Sequence, residues 1–239
     1  LRLSSVRFGG GSGSFVSPNG LIFTNHHVAS RCIQNVSTKE NNYMRDGFYA
    51  DTPDKELKCP GLEVQVLLEI EDVTERVNKA VTAPPSDPKA AGQRQAAMNT
   101  IEKECMDRHG GACTVVTLYS GALYHLYRYK KYTDVRLVFA PEEALGFFGG
   151  DPDNFTYPRF CLDITFLRAY EDGKPASTPH YLKWSRNGPR EGELALVSGH
   201  PGSTDRFITL AQLEFLRDVS YPRTLRNLAT LAGALDGVA

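Results

Sequence analysis

The stretch that decides the fold is GSFVSPNGLIFTNHHV, residues 13–28. Ser14-Phe15-Val16 leads into a turn built by Ser17-Pro18-Asn19-Gly20, and Leu21-Ile22-Phe23-Thr24 leads out. Proline presets φ and Asn-Gly supplies positive φ, so the segment reads as two strands around a tight turn. The outgoing strand is β-branched and aromatic, as a half-buried strand requires. It closes on Asn25-His26-His27-Val28. A histidine at the end of a rigid strand can project into a cleft, and its ordinary pKa suits a general base near neutral pH. On a strand, the two histidines point to opposite faces, one solvated and one packed. A metal reading needs a partner motif such as HExxH, which is absent.

Working outward, residues 62–70 (LEVQVLLEI) form another strand. Residues 86–107 switch to helix: Ser86 or Asp87 can cap it, and Met98, Ile101 and Cys105 recur at helical spacing. Strands resume at 113–118, 124–132 and 135–139, and a Gly-, Asp- and Pro-rich loop covers 145–159. Strands are expected again at 161–170, 181–184 and 193–199. From about Ile208 the pattern turns helical through Leu210, Leu213, Phe215 and Leu216. Many short strands with turns between them predict a mainly β barrel or sandwich over 1–207, with 208–239 beginning a helical domain.

The 239 residues carry 27 Lys and Arg against 28 Asp and Glu, a formal net charge of −1. There is no basic surplus to attract nucleic acid and no apolar run long enough to span a bilayer. Five cysteines are too few and too odd in number for a disulfide scaffold. Cys105 and Cys113 flank a short polar turn and can pair, as can Cys32 and Cys59; either bond implies an oxidising compartment, and five reduced thiols are the alternative. Cys161, inside an apolar pattern, reads as a buried free thiol. No spacing suggests zinc, so neither a metal nor a cofactor is expected. The chain opens LRLSSVRFGGG, without initiator Met or signal peptide, and stops inside the helix-like pattern TLRNLATLAGALDGVA. The expectation is a piece of a longer protein; the alternative is a chain trimmed at natural boundaries.

A catalytic imidazole needs an acceptor on its second nitrogen. The downstream candidates are Asp134, Asp151, Asp153, Asp163 and Asp172. Asp163 opens the apolar run Cys161-Leu162-Asp163-Ile164-Thr165-Phe166-Leu167, where an unpaired carboxylate is costly. Asp151 and Asp153 sit in ordinary turn chemistry. Asp163 is therefore the expected partner.

The order hairpin, Thr24, then the histidine before Val28 resembles the opening of chymotrypsin-type peptidases, which singles out His27 over His26. Together with DVRLVFAPEEALGFFGGDPDNFTYPR (134–159) and LVSGHPGSTDR (196–206), it resembles the bacterial serine dipeptidyl peptidases of peptidase family 46, the dipeptidyl peptidase 7 and 11 type. The resemblance implies a chymotrypsin-like double β-barrel with an inserted helical domain. It makes His27 the base and places the aspartate nine residues after Asn154, again at Asp163. It implies release of dipeptides from peptides with a free N-terminus, with Asn154 and Phe155 meeting the substrate ammonium. The family often has Trp at the second of these positions, so Phe155 is a departure that weakens a cation–π contact but keeps the wall. It further implies a periplasmic or secreted protein and allows a homodimer of the full-length chain.

The nucleophile of this fold stands in a G-x-S-G setting after the aspartate. Ser177, Ser185, Ser198, Ser203 and Ser220 lack it, and Gly10-Gly11-Ser12-Gly13 precedes the histidine and reads as a chance match. By resemblance the serine belongs to a later part of a longer chain, so this chain by itself is expected to be inactive. The alternatives are a non-catalytic peptide-binding module with a peptidase-like fold and an HtrA-like serine endopeptidase.

Overall fold

The computed structural model describes residues 1–153, 156–200 and 208–237. The chain separates into two compact units, 1–201 and 202–239.

The first unit is built on strands β1 (Ser5–Arg7), β2 (Ser12–Phe15), β3 (Leu21–Thr24), β4 (Phe48–Tyr49), β5 (Leu57–Lys58), β6 (Val64–Asp72), β7 (Ala112–Leu118), β8 (Leu123–Tyr132), β9 (Asp134–Ala140), β10 (Thr165–Glu171) and β11 (Lys174–Pro175). They form one antiparallel sheet in the order β4-β9-β10-β3-β2-β1-β6-β8-β7, with β5 also on β9 and β11 on β10. The path has two ends, so among the described residues the sheet is open and not a closed double barrel. The opening hairpin forms as its turn chemistry requires: Gly13, Ser14 and Phe15 pair with Thr24, Phe23 and Ile22. Gly20 takes φ +70, and a Cβ there would stand 2.6 Å from the Ala169 carbonyl oxygen, so only glycine fits.

The main core lies on one face of this sheet and holds Val6, Phe15, Ile22, Val64, Leu137 and Leu167. Against it packs helix α1 (His26–Val36), through Ala29, Cys32 and Ile33. Helices α2 (Tyr43–Asp46) and α3 (Thr74–Lys79) are short. Helix α4 (Pro88–His109) is capped by Asp87, whose Oδ1 accepts the Lys89 N–H at 2.8 Å. It buries Ile101 and Cys105 in a second cluster with Val77, Val115 and Tyr124, and Met98 packs on its edge. Two disulfides join these parts: Cys32–Cys59 ties α1 to the segment before β6, and Cys105–Cys113 ties α4 to β7.

Three expected strands differ. Residues 161–164 stay off the ladder because Leu162 donates to the Leu145 carbonyl and Ile164 to the Leu162 carbonyl. Cys161 is accordingly a free, half-buried thiol outside any strand. No strand forms at 181–184, where the Leu182 N–H alone reaches β2 by donating to the Phe15 carbonyl oxygen at 2.8 Å, or at 193–199, where Leu194, Leu196 and Val197 are exposed.

The second unit contains α7 (Leu210–Phe215), a wide π-type turn at Leu216–Ser220, and α8 (Tyr221–Asp236). In the first unit, α5 (Glu143–Gly146) and α6 (Gly150–Asp153) are single turns. A reciprocal capping box starts α7: the Gln212 N–H donates to Thr209 Oγ1, and the Thr209 N–H to Gln212 Oε1. Leu225, Leu228, Leu231 and Leu235 of α8 are exposed. No described helix is long and apolar enough to cross a membrane.

Candidate active site

Strand pairing assembles the site. β3 and β10 run antiparallel with Thr24 opposite Thr165. The chain leaving β3 therefore stands beside the chain entering β10, and His27 and Asp163 emerge at the same end of the sheet. The histidines do not continue the strand as the sequence reading expected. They open α1, with Asn25 as N-cap in extended backbone (φ −79, ψ 152). The reason is local: Val28, Ala29, Cys32, Ile33 and Val36 recur at helical spacing, and Asn is among the preferred N-cap residues.

Asn25 does not cap the helix with its own side chain. Its Nδ2 donates to the Asp163 carbonyl oxygen at 3.1 Å and to Oδ2 at 3.3 Å. Asp163 takes over the cap: its Oδ1 accepts the backbone N–H of His27 at 3.1 Å. Its Oδ2 lies 2.7 Å from His27 Nδ1. The carboxylate thus satisfies an orphan donor of the helix, meets the positive end of the helix dipole and fixes the imidazole. The Asp163 side chain is 11% exposed and that of His27 69%. With Nδ1–H donated to the carboxylate, the neutral ring presents Nε2 outward as an acceptor, the form a general base needs.

His26 points the other way. It is 3% exposed, and burial pushes its pKa below the ordinary value, against the opposing charges of Asp163 and Glu143. Its Nε2 is buried without a hydrogen-bond partner. Gly146 lies against its ring: a Cβ on that glycine would come within 2.8 Å of His26 Cγ. The Leu162 N–H donates to the Leu145 carbonyl oxygen at 2.8 Å. So the two stems of the 147–160 loop start against His26 and end beside Asp163. Asn154 and Phe155, expected to meet substrate, lie outside the described residues.

No described serine hydroxyl bonds the His27 imidazole; Ser30 Oγ donates only to the His27 carbonyl oxygen. Ser12 sits in β2, where its Oγ accepts the His200 N–H at 2.7 Å. Ser198 Oγ accepts from Ser5 Oγ at 2.8 Å. Ser203 lies outside the described residues. Among the described residues, no group of three His, Cys, Asp or Glu could hold a metal ion. The sequence reading missed Asn25 as part of the site. Its signal was an N-cap residue directly before a helix-periodic run.

A family model described as Peptidase S46 matches residues 1–239. An Asp/Glu-specific dipeptidyl-peptidase of Shewanella putrefaciens is 37% identical over 221 residues, covering 87% of this chain and 30% of that protein. Dipeptidyl-peptidase 7 of Porphyromonas endodontalis is 39% identical over 220 residues, covering 85% of this chain and 26% of that protein. The crystal structure of Porphyromonas endodontalis DPP11 superposes with a TM-score of 0.80 at 33% identity, over 92% of this chain and 34% of the other. Its complex with the dipeptide Arg-Asp gives 0.79 at 32% identity, over the same 92% and 34%. The chain spans roughly a third or less of the length of these relatives, and by sequence and by fold it belongs to the Peptidase S46 family.

Proposed function

We propose that this chain is the N-terminal part of a serine-type dipeptidyl aminopeptidase, with His27 as general base and Asp163 as its orienting carboxylate. The observation that carries the reading is the 2.7 Å contact between His27 Nδ1 and Asp163 Oδ2. It leaves Nε2 free to take the proton of a serine hydroxyl as that oxygen attacks the peptide carbonyl. Asp163 stabilises the imidazolium that forms, and the ring then returns its proton to the leaving amine. The nucleophile comes from the part of the polypeptide that the relatives have beyond the matched third. Asn154 and Phe155 hold the substrate's free α-ammonium through an amide oxygen and an aromatic face. The open sheet becomes part of a chymotrypsin-like double barrel in the full-length protein, and residues 208–239 begin its inserted helical domain. The two disulfides support a periplasmic or secreted location.

The test is dipeptide release by the full-length protein from a free-amine peptide and from its acetylated form. Release from the free amine alone is expected. Equal cleavage of both points instead to an HtrA-like endopeptidase, and binding without turnover to a non-catalytic module. The isolated 239-residue chain is expected to release no dipeptide, because no described serine hydroxyl bonds its base.

A further inference from the structure

Helix α1 has two working faces. Residues His26, Ala29 and Ile33 turn into the protein, and Gly146 at the end of α5 lies against His26. Val28, Arg31 and Asn35, on the opposite side of the helix, line an open cleft of about 720 Å3, with the buried Cys32 at its border. His27 stands at the edge between the two faces and also lines this cleft. Arg7 and Phe8 at the end of β1, the 9–11 glycine turn and the start of β6 form the far wall. The glycine turn is close-set: a Cβ on Gly11 would lie 2.7 Å from Val28 Cγ2.

The lining is cationic. Its one acidic side chain, Glu63, is already paired with Lys131 at 2.6 Å. Arg7 and Arg31 have no acidic partner among the described residues; the Arg7 guanidinium instead lies 5.7 Å from the Tyr129 ring centroid. Arg31 stands one helical turn beyond His27, about 6 Å along the axis.

From this we infer that the cleft is a leaving-side subsite that binds a carboxylate of the departing peptide. The inference rests on the reading of His27 as general base. That ring must hand its proton to the leaving amine, so the departing chain begins within reach of Nε2. The first stem of the loop expected to read the N-terminus packs against His26, on the face of α1 turned away from the cleft, which leaves the cleft for the segment after the scissile bond. An extended chain advances about 3.3 Å per residue, so its first or second residue beyond that bond lies alongside Arg31. The carboxylate is supplied by an Asp or Glu side chain there, or by the C-terminus of a tripeptide or tetrapeptide.

The experiment uses the full-length protein and peptides that share one N-terminal dipeptide. They carry Glu, Gln or Lys at the two following positions and are amidated at the C-terminus. The expected wild-type order of kcat/KM is Glu above Gln above Lys, with roughly fivefold between the extremes, the scale of a partly exposed charge contact. Raising salt to about 0.5 M shrinks that ratio. Arg31→Gln lowers it and Arg31→Glu inverts it; the ratio within one variant cancels any general loss of activity. Tetrapeptides with free and amidated C-termini separate the terminal carboxylate from the side-chain one. A ratio near one in the wild type, or a ratio that both variants leave intact, overturns the subsite. Failure of the wild type to release any dipeptide from a dipeptidyl arylamide overturns the peptidase reading instead.

Discussion

Asp163 holds His27 by both of its oxygens: Oδ1 takes the backbone N–H at 3.1 Å and Oδ2 faces the imidazole Nδ1 at 2.7 Å. One carboxylate therefore sets both where the helix begins and how the ring is turned. Asn25 closes the arrangement by donating to the same residue from the other side. A side chain held from helix and ring together cannot tilt the imidazole without breaking the helix start.

The two roles of Asp163 separate by substitution. Asp163→Asn keeps an oxygen for the His27 N–H but places an amide against the imidazole, favouring the wrong tautomer. In the full-length protein kcat is expected to fall about 10⁴-fold with little change in unfolding midpoint. Asp163→Ala loses the cap as well and costs about 1 kcal/mol of stability in addition. Steady-state kinetics beside urea unfolding distinguish the two.

Gly146→Ala places a methyl within 2.8 Å of the buried His26 ring. Both His26 and Gly146 are buried, so the substitution is expected to destabilise by about 1–3 kcal/mol. Because His26 adjoins His27, kcat should fall as well. Gly92→Ala, inside α4 with open space around it, serves as the control: kcat stays unchanged and stability rises by up to about 1 kcal/mol.

Burial lowers the pKa of both His26 and His200 below the ordinary 6.5. Above pH 6.5 neither the folded nor the unfolded chain carries these protons, and the neutral folded rings impose no penalty. As pH falls below 6.5, the unfolded chain takes up protons that the folded one refuses. Stability then drops until the folded pKa is passed. The slope reaches up to about 1.4 kcal/mol per pH unit for each ring. Urea unfolding between pH 7.5 and 5 measures it, and His26→Asn is expected to remove one ring's share.

Glu56 is a further point of leverage. Its carboxylate accepts from Arg168 Nε at 2.8 Å and from the Tyr170 hydroxyl at 2.8 Å, and its side chain is 2% exposed. Burial, and then the bond to Glu56, push the Tyr170 hydroxyl up to about 12. This cluster pins β10, the strand that Asp163 leads into. Glu56→Gln leaves the largely buried Arg168 guanidinium without its counter-charge, and a loss of about 3 kcal/mol is expected. Denaturant unfolding measures it, and Arg168→Met in the same background should recover part of the loss.

The sequence by itself determined the local parts of this protein. Ser17-Pro18-Asn19-Gly20 specified the hairpin through backbone preferences, Asp87 and the 98/101/105 spacing specified α4, and the apolar run after Asp163 specified β10. It also marked His27 and Asp163, because a base needs an acceptor and a carboxylate entering an apolar strand needs a partner. Tertiary structure decided the rest. The β3–β10 register put those two residues, 136 positions apart, within hydrogen-bond reach. It also made Asp163 the cap of a helix that the strand reading of Asn25–Val28 had not allowed. Strands expected at 181–184 and 193–199 did not form, since a strand exists only where another offers its ladder, and that is a property of the assembled sheet. The cationic cleft beside His27 belongs to the same class: Arg7, Arg31 and Glu63 are unremarkable in sequence. Only the packing of α1 beside β1 and β6, with Lys131 already taking the one acid, brings two guanidiniums without an acidic partner among the described residues to one cleft.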